Sequence, residues 1–162
     1  MVGPLDRDPE FVARLSRRIS AAGLADRITL AGPAGAADLR ARYAAADLLV
    51  LPARLEAYGM VVTEALAVGL PVLGSSVGGV PEALGPTAQG VPGLLVSPGD
   101  AAALRNALAD WLDDRTARDR LRQAALARRA SLPTWEAATQ VVAGVLDRVR
   151  TEPEQALPRV LR

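Results

Sequence analysis

The sequence has no cysteine, no histidine and no lysine, so that all 19 of its basic residues are arginine. Each absence removes chemistry. Without Cys or His there is no zinc cluster, no Ser-His-Asp triad and no thiol nucleophile. Without Lys there is neither a P-loop lysine nor a Schiff-base enzyme. A metal would have to rest on carboxylates alone, and none is expected. Aromatic residues are scarce at 3%, while Ala reaches 32; with Arg in place of Lys this reads as GC-rich coding, a background to function.

Long apolar runs are missing too. Asp47 and Glu64 interrupt the two longest candidates, which fall short of the ~18–20 residues a spanning helix needs. The opening Met-Val-Gly-Pro-Leu-Asp-Arg-Asp has no basic n-region and no apolar h-region, so the expectation is a soluble, cytoplasmic protein without a secretory leader. Net charge is only +1, and the arginines are scattered in pairs such as Arg17-Arg18 and Arg128-Arg129. That pattern argues against a nucleic-acid partner. A length of 162 residues suits one domain with a real core.

What is present is an alternation of helical periodicity with short apolar runs. Phe11, Val12, Leu15 and Ile19 recur at helical spacing between Asp8 and Ala22, with Pro9 placed for a first turn and Gly23 for a stop. Ile28 to Ala31 reads as a strand, broken by Gly32, Pro33 and Gly35. A helix from Ala37 to Ala46 turns Leu39 and Tyr43 inward, and Leu48 to Leu51 predicts a strand buried on both faces. A helix from Gly59 to Val68, a strand over Pro71 to Gly74, a short helix from Val80 to Leu84 and a strand over Gly93 to Val96 follow. Three helices, Asp100 to Leu112, Thr116 to Ala130 and Thr134 to Arg150, precede a tail over 151–162 that is expected to fray. Helices alternating with strands in this way predict an α/β fold, a Rossmann-like parallel sheet flanked by helices with a helical C-terminal segment. In such sheets ligands sit beyond the carboxyl ends of the strands.

The loop after the 48–51 strand carries the most chemistry. Glu56 stands just before a helix start, Glu64 follows eight positions later, and Gly59 lies between them. The amides near Gly59, Met60 and Val61 open a helix, where unpaired N–H groups and the dipole attract an anion. Carboxylates accept from sugar hydroxyls and repel phosphate, so sugar at both ends with phosphate between describes a nucleotide sugar. The same two Glu residues are also what a dipole partner and a solvated helical face would show.

The run Pro52-Ala53-Arg54-Leu55-Glu56-Ala57-Tyr58-Gly59, followed by Glu64-Ala65-Leu66-Ala67, Gly69-Leu70-Pro71-Val72, Gly78-Gly79-Val80-Pro81-Glu82 and Gly93-Leu94-Leu95-Val96-Ser97-Pro98-Gly99-Asp100, resembles the donor-binding domain of family 4 (group 1) glycosyltransferases. The likeness runs from about Arg27 to Val149 and includes Trp135-Glu136. It implies the C-terminal half of a GT-B fold and a retaining hexosyltransferase using a UDP-, GDP- or ADP-sugar, with no further cofactor. Glu56 matches the Glu that contacts the transferred sugar and would be the catalytic position. Tyr58, Gly59, Met60 and Val61 match the turn that holds donor sugar and phosphate, Glu64 the ribose ligand, and Gly32-Pro33 the nucleobase edge. Gly78 and Gly79 match a tight turn that reads equally as packing of the next helix against the sheet.

The family pattern also sets expectations about what lies beyond these residues. An acceptor-binding domain, and a first βα unit carrying an Arg and a Lys for the diphosphate, would precede Val2-Gly3 in that pattern. Residues 1–150 are accordingly expected to be one donor-binding domain lacking that unit, inactive alone, completed by an N-terminal acceptor domain or a partner chain, and self-associating through the uncovered sheet edge. Ala53 replaces the family's Ser, and Arg54 reads as a solvated loop residue. Two other readings carry the same fold: a non-catalytic nucleotide-sugar-binding or protein-interaction module, and a sugar-nucleotide epimerase. The Arg-rich helix over Thr116 to Ala130 reads as solvated, with partners among Asp113, Asp114 and Asp119.

Overall fold

A computed structural model describes residues 1–151; the tail expected to fray lies, from residue 152 onward, outside them. Seven helices and three strands follow one another among the described residues as α1 (Pro9–Ala21), α2 (Ala36–Ala45), β1 (Leu49–Leu51), α3 (Met60–Ala67), β2 (Val72–Ser75), α4 (Val80–Leu84), β3 (Gly93–Val96), α5 (Ala101–Asp113), α6 (Arg115–Ser131) and α7 (Trp135–Thr151). Local signals set these boundaries. Asp8, Asp100 and Asp114 accept from the backbone N–H three residues on, at 2.8, 2.8 and 2.9 Å, satisfying one of the donors that a helix start leaves free.

The strands form a parallel sheet in the order β1-β2-β3, with Leu49 opposite Val72 and Val72 opposite Gly93. Helices α3 and α4 are the crossovers of two βαβ units, and the central β2 is buried along its whole length. Val62, Ala65 and Leu66 of α3, Val72 of β2, Val80 and Leu84 of α4 and Ala125 of α6 make the core. Two alanines of α6, Ala124 and Ala125, are buried, which lets this helix approach α3 closely.

Two strand expectations are corrected. Leu49 and Leu51 pack against the core, but Val50, which alternates to the other face, is 39% exposed. An edge strand covered on one face only is the result, in place of one buried on both. Ile28 to Ala31 does not become a strand of the sheet. It pairs with the chain start: the Met1 amino group donates to the Thr29 carbonyl at 2.6 Å, Ala31 N to the Met1 carbonyl at 2.9 Å and Gly3 N to the Gly32 carbonyl at 2.9 Å. Two of these bonds fall on the segment itself and the third on Gly32, just after it.

Helix α6 is less uniformly solvated than its charge suggests. Arg115 does pair with Asp119 at 3.8 Å. Arg118, however, donates to the Trp111 carbonyl at 2.9 Å and to that of Leu112, closing the end of α5, and its guanidinium lies 5.7 Å from the Trp111 ring centre. Arg128 reaches the Ala83 carbonyl at 3.3 Å and so ties α6 to α4. Along α7 the side chains of Val141, Val142, Leu146 and Val149 are exposed. Among the described residues no helix is long and apolar enough to cross a membrane.

Candidate functional site

β1 delivers the chain into an eight-residue loop, 52–59, whose last residue, Gly59, adopts φ 72° and caps α3. A side chain there would be strained and would also meet Ala83 Cβ at 2.9 Å and the Gly79 carbonyl at 3.0 Å. The loop is pressed against the turn that opens α4. Gly79 N donates to the Glu56 carbonyl at 3.3 Å, and a Cβ on Gly79 would stand 2.6 Å from Tyr58 C. Gly78 and Gly79 thus make room for the Glu56 loop, a use that neither sequence reading of them named.

Glu56 folds back on its own backbone. Its Oε1 accepts from Tyr58 N at 3.3 Å and Gly59 N at 3.0 Å, placing a carboxylate at the positive end of α3. This corrects the expectation that the Gly59 amide is free for an anion. Among the described residues the amides of Met60 and Val61 have no protein acceptor, so the anion-binding capacity of this terminus is moved half a turn into the helix. Glu56 Oε2 makes no hydrogen bond among the described residues. Tyr58 beside it is 81% exposed, and Met60 is exposed as well.

Glu64 sits in the second turn of α3 and faces α2. Its Oε2 accepts from the Tyr43 hydroxyl at 3.2 Å. Burial, reinforced by the Glu64 charge and by this hydrogen bond, pushes the Tyr43 hydroxyl up to about 12. The two side chains line a cavity of about 380 Å³ together with Leu39, Arg40, Ala67 and Val68. Sequence reasoning gave Tyr43 to the core alone. The usable signal was chemical: a Tyr turned inward on an Ala-rich helix needs an acceptor for its hydroxyl.

The remaining expected residues do not line the Glu64 cavity. Gly32 is buried, with φ 70°, and its carbonyl is taken by Gly3 N; Pro33 is exposed in the loop that leads into α2. That loop meets the Glu64 cavity only through Ala36, the first residue of α2. Arg54 lines a separate recess of about 180 Å³ with Pro52, Ser75, Ser97 and Asp100. This recess lies at the carboxyl ends of all three strands, where ligands of such sheets gather. Among the described residues no three carboxylates come close enough to share a metal ion.

This geometry meets known proteins over most of the chain. The family described as glycosyl transferases group 1 matches residues 1–128. Over 137 residues the chain is 39% identical to the D-inositol 3-phosphate glycosyltransferase of Streptomyces avermitilis, a match covering 85% of the chain and 28% of that protein. It superposes on sucrose-phosphate synthase from Thermosynechococcus elongatus with a TM-score of 0.76 and 31% identity, covering 93% of the chain and 38% of that structure. With Anabaena HepE, crystallised with UDP, the TM-score is 0.77 and the identity 27%, over 90% of the chain and 39% of that structure. The chain therefore spans well under half the length of these relatives. Matched by the family description over 128 of its 162 residues and folded as the Rossmann-like C-terminal domain of a GT-B protein, the chain belongs to the group 1 glycosyltransferases.

Proposed function

We propose that this chain binds the donor of a retaining hexosyl transfer, a nucleoside diphosphate sugar, along the entry to α3. One observation carries the reading. Glu56 is held at the first turn of α3 with one carboxylate oxygen unengaged, while Glu64 borders a cavity about one turn further on. Between them, the amides of Met60 and Val61 and the helix dipole suit a phosphate. The unengaged oxygen of Glu56 accepts from a hydroxyl of the transferred sugar, with Tyr58 and Gly59 shaping the same turn, and Glu64 accepts from the ribose diol. The loop at Gly32-Pro33 borders the nucleobase. Anabaena HepE, which this chain resembles at 28% identity, was also crystallised with UDP-glucose, which supports a uridine donor first among the three.

In this reading the sugar leaves the diphosphate with oxocarbenium character and retained configuration. The chain contributes electrostatics: partial positive charge at α3 for the departing phosphate and a fixed carboxylate on the sugar side. No protein nucleophile is required of it. Residues 1–150 act as one donor-binding unit, and the acceptor is held by a unit outside this sequence. The outer edge of β1, with Val50 exposed, pairs with a second copy.

Calorimetric titration with UDP, GDP and ADP, repeated on Glu64→Gln, tests the central statement. Saturable binding of one nucleotide, weakened in the variant while the fold is kept, is expected. Equal affinity in both proteins removes Glu64 from the donor site.

A further inference from the structure

We infer that Tyr43 is a positioning residue for donor binding, fixing the carboxylate of Glu64 so that it recognises a ribose diol. The inference rests on the donor reading above and adds to it the device that makes Glu64 selective.

A carboxylate on the exposed side of a short helix is free to turn about three side-chain torsions, and a vicinal diol is bound well only when both acceptor oxygens lie in one set plane. Glu64 is such a side chain, on an eight-residue helix. Tyr43 is the opposite kind of group. Its ring packs against the core formed by Val62, Leu66 and their neighbours, and it carries only two torsions, so its hydroxyl is a nearly fixed donor. At 3.2 Å from Oε2 it pins one oxygen of Glu64. The other oxygen, and the second lone pair of Oε2, have no protein partner among the described residues.

The neighbouring cation sharpens the point. Arg40 stands one turn before Tyr43 on α2 and lines the same cavity, yet among the described residues it makes no ion pair with Glu64. An Arg fork on this carboxylate would engage both oxygens and halve the acceptor sites left for a diol. A single phenolic donor holds the group while leaving most of its accepting capacity open.

The test compares nucleotides that have or lack the diol. Affinities of UDP, GDP and ADP and of their 2′,3′-dideoxy forms are measured for the wild type, Tyr43→Phe, Glu64→Gln and the double variant, with thermal melting to confirm that each is folded. The Phe variant keeps the ring and its packing. Tyr43→Phe is expected to weaken the ribonucleotide by about 3- to 10-fold, the cost of ordering a released Glu64 side chain on binding, and to leave the dideoxy affinity unchanged. In the Glu64→Gln background it should add nothing. Equal losses for both nucleotide forms would mean that Tyr43 only packs, and the positioning role falls; so does no loss for either. If Glu64→Gln itself leaves the ribonucleotide affinity unchanged, or if the wild type binds none of the three, the donor reading falls and this inference with it.

Discussion

A Cβ added to Gly78 would stand 1.6 Å from the carbonyl oxygen of Glu56, far inside contact distance. The turn that opens α4 and the loop that carries the Glu56 carboxylate are therefore fitted to each other through a missing side chain. Gly78 also has φ 47°. Replacing Gly78 by Ala is expected to lower stability by about 1–3 kcal/mol, from strain and from displacing the loop, and to weaken nucleotide binding. Gly35→Ala is the control, since Gly35 has φ −69° and open space around its Cβ position. Thermal denaturation of the two variants, with binding measured on each, decides between a seated loop and a loose one.

Glu56→Gln separates charge from shape. The amide oxygen of Gln still accepts from the Tyr58 and Gly59 amides, so the loop keeps its form, but the negative charge at the start of α3 is gone. Affinity for a nucleoside diphosphate should hold or rise, because phosphate no longer approaches a like charge. Affinity for the corresponding nucleotide sugar should drop relative to it, since a neutral acceptor holds a hydroxyl less firmly. The ratio of the two dissociation constants is the readout, and an unchanged ratio would remove Glu56 from the sugar side.

The absence of Lys leaves the alkaline range unusually clear, because Arg stays charged there. Tyr43 ionises near 12 in the folded chain, against an ordinary value of 10.0. Between those two values the unfolded chain has lost the proton and the folded chain keeps it. The stability contributed is thus complete below pH 10 and declines as pH rises toward about 12. Urea melts across this window should show a fall that Tyr43→Phe abolishes. Absorbance at the phenolate band should place one of the two tyrosines near 12, lower in Glu64→Gln.

The exposed edge of β1 predicts association. Sedimentation of the wild type should depend on concentration, and Val50→Lys should reduce that dependence, as an edge Lys opposes strand pairing. A wild type that stays monomeric across the same range would retire self-pairing through β1.

Much of the fold was legible because its signals are local. Asp8 with Pro9, Asp100 and Gly23 mark helix ends by chemistry that acts within four residues, and the bounds of the helices fall within two residues of those expected. Val50 was misread because burial of a strand face depends on what packs there, which four aliphatics in a row do not state. Ile28 to Ala31 failed as a strand for a related reason: its partner is the chain start. The 52–59 loop was legible in its residues, but its hydrogen bonds were not. Glu56 and Gly59 are three apart and gave a readable pair, though the reading left the amide free. Tyr43 and Glu64 are 21 apart, and Arg128 and Ala83 are 45 apart; only the packing of α2 and α6 brings them together.

That difference in separation divides the two carboxylates by fragility. Glu56 takes its orientation from amides two and three residues away, so its geometry travels with the loop even when the neighbouring helix shifts. Glu64 borrows its orientation from another helix, and any slippage of α2 along α3 releases it. In the proposed donor reading, sequence changes along the α2 surface would have a route to altering nucleotide choice while the Glu56 anchor is left as it was, so that the two ends of the donor could drift independently.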